Sequence, residues 1–136
     1  MKKLGHLNRD IARVLARMGH TDSLVVADCG LPVPNGVECI DVSLALGDPG
    51  FVRVLDSILA DFAAERAIFA KEALEQNPVV AERAARLARE EVRVEFVPHE
   101  SLKELTRNAR AVIRTGEATT YSNAILFSGA IFGSKT

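Results

Sequence analysis

Three residues able to handle protons stand at element boundaries of this 136-residue chain: His20, Asp28 and His99, with Tyr121 and Asn123 in a polar loop further on. An imidazole has an unperturbed pKa of ~6.5, so it donates and recovers a proton near neutrality. With a carboxylate, a phenol and an amide beside it, the set suits proton transfer on a polyhydroxylated ligand. Each member also has a plain structural explanation. Asp28 can be a turn former, His99 a residue that merely precedes a helix, and Tyr121 core packing with a bonded hydroxyl. His20 can be an imidazolium held at a helix C-terminus, where the macrodipole is worth ~0.3–1 kcal/mol. Jointly they weigh more than singly, and they mark the candidate site.

Other chemistries lack their signatures. No GxGxxG or GxxxxGK[ST] loop is present, no G-x-S-x-G elbow, and no HExxH or CxxC pair. His20, Asp28 and His99 have no local ligand spacing and would meet around a metal only through tertiary contact. A site with no metal and no cofactor is therefore expected. The net charge of −1 and dispersed basic residues create no field for nucleic acid or for an anionic membrane, so neither partner is expected. Lys2-Lys3 is followed by polar residues instead of an apolar signal-peptide core, and no transmembrane stretch exists. Cys29 and Cys39 flank a Pro-containing loop without a second pair, which argues against a disulfide scaffold and for a reduced, cytoplasmic setting. His6 reads as a surface residue.

The elements that must position these groups follow from periodicity. Asn8 can cap a first helix with Ile11, Val14, Leu15 and Met18 on one face, and Gly19 would supply its left-handed stop. His20 comes out just beyond. Leu24 to Asp28 reads as a buried strand that delivers Asp28 to a Gly/Pro-punctuated loop, Gly30-Leu31-Pro32-Val33-Pro34-Asn35-Gly36. In open α/β sheets, ligands sit outside the carboxyl ends of the strands, where this strand would place Asp28. Val37 to Val42 is a second strand, Gly47 to Gly50 a turn, and Phe51 to Leu59 has helical spacing. Glu65 to Gln76 fits a helix or a short buried strand. Asn77 caps a helix whose first turn holds Pro78 and which runs to Arg89. Val92, Val94 and Phe96 alternate as in a half-buried strand that ends at Pro98-His99. Ala111 to Arg114 and Ala124 to Phe127 are further strands. The alternation predicts one α/β domain over residues 1–136, Rossmann-like, with a mainly parallel sheet and helices on both faces.

Along nearly its whole length the sequence resembles the family that joins the D-ribose pyranases and the L-fucose mutarotases. The resemblance rests on Leu7-Asn8, Gly19-His20-Thr21-Asp22, Asp28-Cys29-Gly30-Leu31-Pro32-Val33-Pro34, Pro98-His99-Glu100, Ala111 to Glu117 and Tyr121-Ser122-Asn123-Ala124-Ile125-Leu126. It implies that His20 matches the family's proton donor and that Asp28 and His99 match sugar-binding positions. Tyr121, Ser122 and Asn123 match its Tyr-x-Asn sugar-contacting segment. It also implies a cytoplasmic homodecamer of paired rings, with the Tyr-x-Asn segment of one subunit looking into its neighbour's pocket. Cys29 stands where alanine is familiar, and Thr119-Thr120 where Ser-Pro is. The Gly-Leu-Pro-x-Pro loop looks like the ribose branch.

What the resemblance implies is a sugar-ring isomerase that interconverts β-pyranose and β-furanose D-ribose by acid/base ring opening, with His20 as proton donor and Asp28 orienting or charge-balancing it. An L-fucose-type mutarotase, a non-catalytic sugar-binding module, or a ring-forming structural protein with an incidental pocket are the alternatives.

Overall fold

Asn8 starts helix α1 (Arg9–Arg17): its Oδ1 accepts the backbone N–H of Asp10 at 3.0 Å and of Ile11 at 3.1 Å, satisfying two of the donors a helix start leaves orphaned. Ile11 and Val14 are its buried residues, as the apolar spacing requires. Its end differs from expectation. Gly19 is no left-handed stop; Met18 leaves the helix extended, at φ −73° and ψ 127°, and the left-handed residue is Thr21, at φ 72°. Asp22 explains the difference. Its Oδ2 accepts the Gly19 N–H at 2.8 Å while the Thr21 N–H donates to the Ser128 carbonyl at 2.8 Å, so a side chain and a sheet end replace the glycine cap. The Gly19 N–H holds the Asp22 carboxyl below its ordinary range, helped by Arg110.

The computed structural model describes residues 1–131; residues 132–136, and with them the end of the expected domain, lie outside the described part. After α1 come β1 (Ser23–Ala27), β2 (Glu38–Asp41), α2 (Phe51–Leu59), β3 (Ala64–Ala70), α3 (Ala73–Gln76), α4 (Pro78–Arg89), β4 (Arg93–Val97), α5 (His99–Leu105), a 3₁₀ turn (Thr106–Asn108), β5 (Ala111–Arg114) and β6 (Ala124–Ser128). The stretch from Glu65 to Gln76 is thus a strand and then a short helix. Apolar Ile68 and Phe69 sit in the wholly buried half of β3, and the helix formers follow it.

The strands form one six-stranded sheet in the order β2-β5-β1-β6-β3-β4. Only the pairs made by β6 are antiparallel; β1 with β5, β2 with β5 and β3 with β4 are parallel. One consequence governs the site. Because β6 runs against the others, its start lies beside their carboxyl ends. Alternate strand residues feed the two faces. Leu24, Val26, Phe69 and Ile113 pack with Ile11, Leu55 and Leu87 from α1, α2 and α4. Val25, Ile68, Val112 and Ile125 pack under Leu31 and under Leu102 of α5. Both faces are covered, one mainly by helices and the other by a single short helix with the Gly/Pro-rich loop.

The loop after β5 is locked to the turn before α2. A Cβ built on Gly116 would stand 2.5 Å from the backbone oxygens of Ala45 and Asp48. Those atoms are backbone and cannot swing aside. Glu117 caps α2 from the same loop, its Oε1 accepting the Phe51 N–H at 2.9 Å. Burial raises the Glu117 carboxyl, but the N–H groups of Phe51 and Thr119 outweigh it and the group ends below its ordinary range. Gly116→Ala is expected to destabilise the protein by about 1–3 kcal/mol, the usual cost of overpacking. Chemical denaturation measures this, and an unchanged midpoint would show that the turn gives way freely.

Candidate functional site

The carboxyl edge of the sheet gathers most of the expected residues. Asp28 follows β1 directly, is 9% exposed, and forms a two-way pair with Asn123, which precedes β6 and is 0% exposed. The Asn123 side-chain N–H donates to Asp28 Oδ2 at 3.0 Å, and its Oδ1 accepts the Asp28 backbone N–H at 2.9 Å. A third bond, from the Gly30 N–H to Asp28 Oδ1 at 3.0 Å, completes the fixing of the carboxylate. Two bonds to its side chain, from different directions, hold the orientation of the carboxylate. Thr115 closes the edge from behind, its hydroxyl donating to the Ala27 carbonyl at 2.7 Å.

His99 begins α5 immediately after the Pro98 that follows β4. Its backbone N–H donates to both oxygens of Glu72, at 3.0 and 3.2 Å, so a carboxylate anchors the residue. The ring meets Tyr121 edge to face, with centroids 5.2 Å apart and planes at 81°. Its Nδ1 is buried and finds no hydrogen-bond partner among the described residues. Tyr121 has φ 64°, a left-handed conformation that is uncommon for a bulky residue and that the surrounding bonds must hold. Asn77 supplies some of them: its side-chain N–H groups donate to the Thr120 carbonyl at 2.9 Å and to Ser122 Oγ at 3.0 Å, while its Oδ1 caps α4 through the Val80 N–H.

A cavity of about 260 Å³ opens between Asp28, Gly30, Leu31, His99, Thr120 and Tyr121. Asp28, His99 and Tyr121 are therefore its wall. Asn123 and Ser122, the latter 2% exposed, sit behind the wall and act on it through Asp28 and Asn77. The segment from Tyr121 to Asn123 serves the pocket of its own chain, because the antiparallel β6 starts beside the end of β1.

His20 is the residue that does not arrive. It precedes β1, so the five residues of that strand, about 16 Å at ~3.3 Å per residue, separate it from Asp28. It is 51% exposed at the amino edge, where its Nε2 pairs with both Glu65 oxygens at 3.1 and 3.2 Å. Asp28 therefore neither orients nor balances His20 within one chain, and His20, Asp28 and His99 cannot converge there on a metal. Glu65, Glu72 and Asn77 are the supporting residues that local reading missed or saw only in part. Asn77 was legible as a cap, but Glu72 and Glu65 bond residues 27 and 45 positions away in the sequence, and no local pattern signals that.

A separate cleft of about 630 Å³ carries His6, whose Nδ1 pairs with Asp61 at 3.0 Å and whose Nε2 pairs with Ser57 at 2.9 Å. His6 is thus no loose surface residue. The order Ser–His–Asp matches a hydrolase triad, but Ser57 lies within α2, where N–H groups are spent on i−4 carbonyls and cannot form an oxyanion hole. The chain of bonds ties the N-terminal segment to α2.

Residues 1–131 match the model of the RbsD / FucU transport protein family. A D-ribose pyranase of Chromobacterium violaceum is 64% identical over 132 residues, covering 97% of this chain and 100% of that one. A D-ribose pyranase of Halalkalibacterium halodurans is 58% identical with the same coverage. The solved structure of Bacillus subtilis RbsD complexed with D-ribose superposes with a TM-score of 0.93 at 45% identity, covering 97% of this chain and 100% of that one. A fucose mutarotase of Streptococcus pneumoniae, solved with L-fucose, shares the fold, with a TM-score of 0.75 at 22% identity over 96% and 99% of the two chains. With every described residue under one family model and relatives matched along their full length, this chain belongs to the RbsD / FucU family.

Proposed function

We propose that this protein is an isomerase that interconverts the β-pyranose and β-furanose forms of D-ribose. The observation that carries the proposal is the pocket walled by Asp28, His99 and Tyr121, in a chain 64% identical to a D-ribose pyranase. Its cavity of about 260 Å³ lies below the ~300–1,000 Å³ of sites for drug-sized ligands and suits a monosaccharide. The 45%-identical RbsD was solved with that sugar.

The chemistry is a proton exchange. The anomeric hydroxyl loses its proton as the ring oxygen gains one, the bond between C1 and the ring oxygen breaks, and an open aldehyde results. A different hydroxyl then adds to C1 and loses its proton as the carbonyl oxygen regains one, so no atom is gained or lost overall. His20 as imidazolium supplies the proton to the ring oxygen and recovers it at closure. Asp28, with its orientation set by Asn123 and Gly30, accepts from sugar hydroxyls, and His99 and Tyr121 hold the others. Ser122 supports the wall through Asn77.

Because His20 stands at the edge opposite the pocket, an isolated chain is a sugar binder, and turnover belongs to an assembly. His20 of one copy reaches the pocket of the next. Exposed Leu44 and Leu46 after β2, and Leu74 and Val79 after β3, lie at the carboxyl edge and offer that copy an apolar seat. A contact between unlike edges is heterologous and closes into a ring when its rotation permits. Paired rings forming a homodecamer in the cytoplasm complete the proposal. None of the helices is long and apolar enough to cross a membrane among the described residues.

Saturation-transfer NMR on D-ribose at equilibrium tests the activity. Faster exchange between β-pyranose and β-furanose signals is expected. Acceleration of L-fucose anomer exchange alone would assign the chain to the mutarotase branch, and acceleration of neither would leave a binding module.

A further inference from the structure

We infer that Glu65 is a positioning residue for His20: it fixes the imidazole by its Nε2 and leaves Nδ1 as the nitrogen that meets the sugar. The inference rests on the reading of His20 as the proton donor. Its own evidence is how the amino edge is built. The pairing of β3 with β6 runs Ala64 with Ser128 and then Arg66 with Phe127, so Glu65 is the extra residue of a bulge. Bulges re-aim a side chain, and this one aims a carboxylate at His20 with both oxygens, at 3.1 and 3.2 Å, in reach of one nitrogen.

Both sides of the contact are held. On one side, Arg66 pins the strand beside the bulge, its guanidinium lying 4.5 Å from the centre of the Phe127 ring and its Nε donating to Glu95 at 2.6 Å. Gly129 lets the backbones close up: a Cβ there would stand 3.3 Å from the Glu65 Cβ. On the other side, His20 sits in the turn that Asp22 closes through Gly19, next to Thr21 in its left-handed conformation. A β-branched residue at φ 72° is strained, and such strain persists where the surroundings impose a geometry. The imidazole is half-exposed, so without Glu65 its ring would rotate freely. A ring tied at Nε2 presents Nδ1 in one orientation, which is how a base or acid is oriented by a third group.

The test uses the assembled protein and the NMR exchange assay. Glu65→Gln, which keeps size and hydrogen bonding, and Glu65→Ala are compared for kcat and for KM toward D-ribose. Glu65→Ala is expected to lower kcat by about tenfold or more, within the ~10²–10⁴-fold a positioned acid supplies, with KM unchanged and Glu65→Gln in between. Subunit mixing then locates the defect: Glu65→Ala should regain turnover when co-assembled with His99→Ala but not with His20→Gln. Unchanged kcat, a loss confined to KM, or rescue by His20→Gln subunits would overturn the inference. A loss of activity in Glu65→Ala with full activity in His20→Gln would instead overturn the reading of His20 itself.

Discussion

Replacing His20 by Gln is expected to lower the accelerated exchange of D-ribose by about 10²–10⁴-fold, or ~2.7–5.5 kcal/mol of barrier, while sugar binding stays intact. Gln keeps a hydrogen-bonding side chain of similar reach but has no proton to give at neutral pH. Binding survives because the wall that holds the sugar hydroxyls, Asp28, Gly30, Leu31, His99, Thr120 and Tyr121, comes from a chain whose own His20 lies at the opposite edge, and Gln in the neighbouring copy's place still offers a hydrogen bond. Folding survives as well, since the side chain is 51% exposed and its one partner is the equally accessible Glu65. Calorimetric titration with D-ribose beside the NMR exchange rate separates the two effects. Equal losses of binding and exchange would place His20 in recognition and remove it from proton transfer.

Asn123→Ala is the substitution expected to cost most in stability, about 2–5 kcal/mol, because it strands two groups in one place. The Asp28 backbone N–H loses its acceptor and Asp28 Oδ2 loses its donor, both in a part of the chain that water hardly reaches. A typical domain has about 5–15 kcal/mol in total, so this is a large share. Affinity for the sugar should fall with it, since the carboxylate keeps only the Gly30 N–H to fix its direction. Asn123→Asp tests the same pair from the electrostatic side: it sets two carboxylates against each other and should be worse at pH 7 than at low pH, where one is protonated. Urea unfolding gives both numbers. A loss below about 0.5 kcal/mol in Asn123→Ala would mean that water replaces the amide without penalty.

Much of this was legible without coordinates. The cap at Asn8, the strand that leads to Asp28, the helix after Pro78 and the half-buried strand before His99 all follow from patterns within a dozen residues. The direction of β6 does not. Ala124 to Phe127 reads as a buried strand of either orientation, and only its position between β1 and β3 makes it run against both. That single reversal decides the site, because it brings Asn123 to Asp28. The end of α1 departs from its local signal for a related reason. Gly19 is a strong local stop signal, but Asp22 and the Ser128 carbonyl, a sheet away, set the turn and move the left-handed conformation to Thr21. The 65–76 stretch shows the limit of propensity, since its alanines and glutamates serve a strand and a helix equally well.

The separation of His20 from the pocket is the feature on which the proposed mechanism turns, and subunit mixing tests it most directly. His20→Gln and His99→Ala each remove one half of the site; residue 99 keeps its backbone bond to Glu72 in the second variant, so the fold is preserved. Each alone should be nearly inactive. Co-assembled in equal amounts, they should regain about a quarter of wild-type turnover, the share of pockets in which an intact His20 meets an intact His99 from another copy in a closed symmetric assembly. Mixtures no more active than the sum of the two variants would mean that each site is built from one chain, and would contradict the shared pocket.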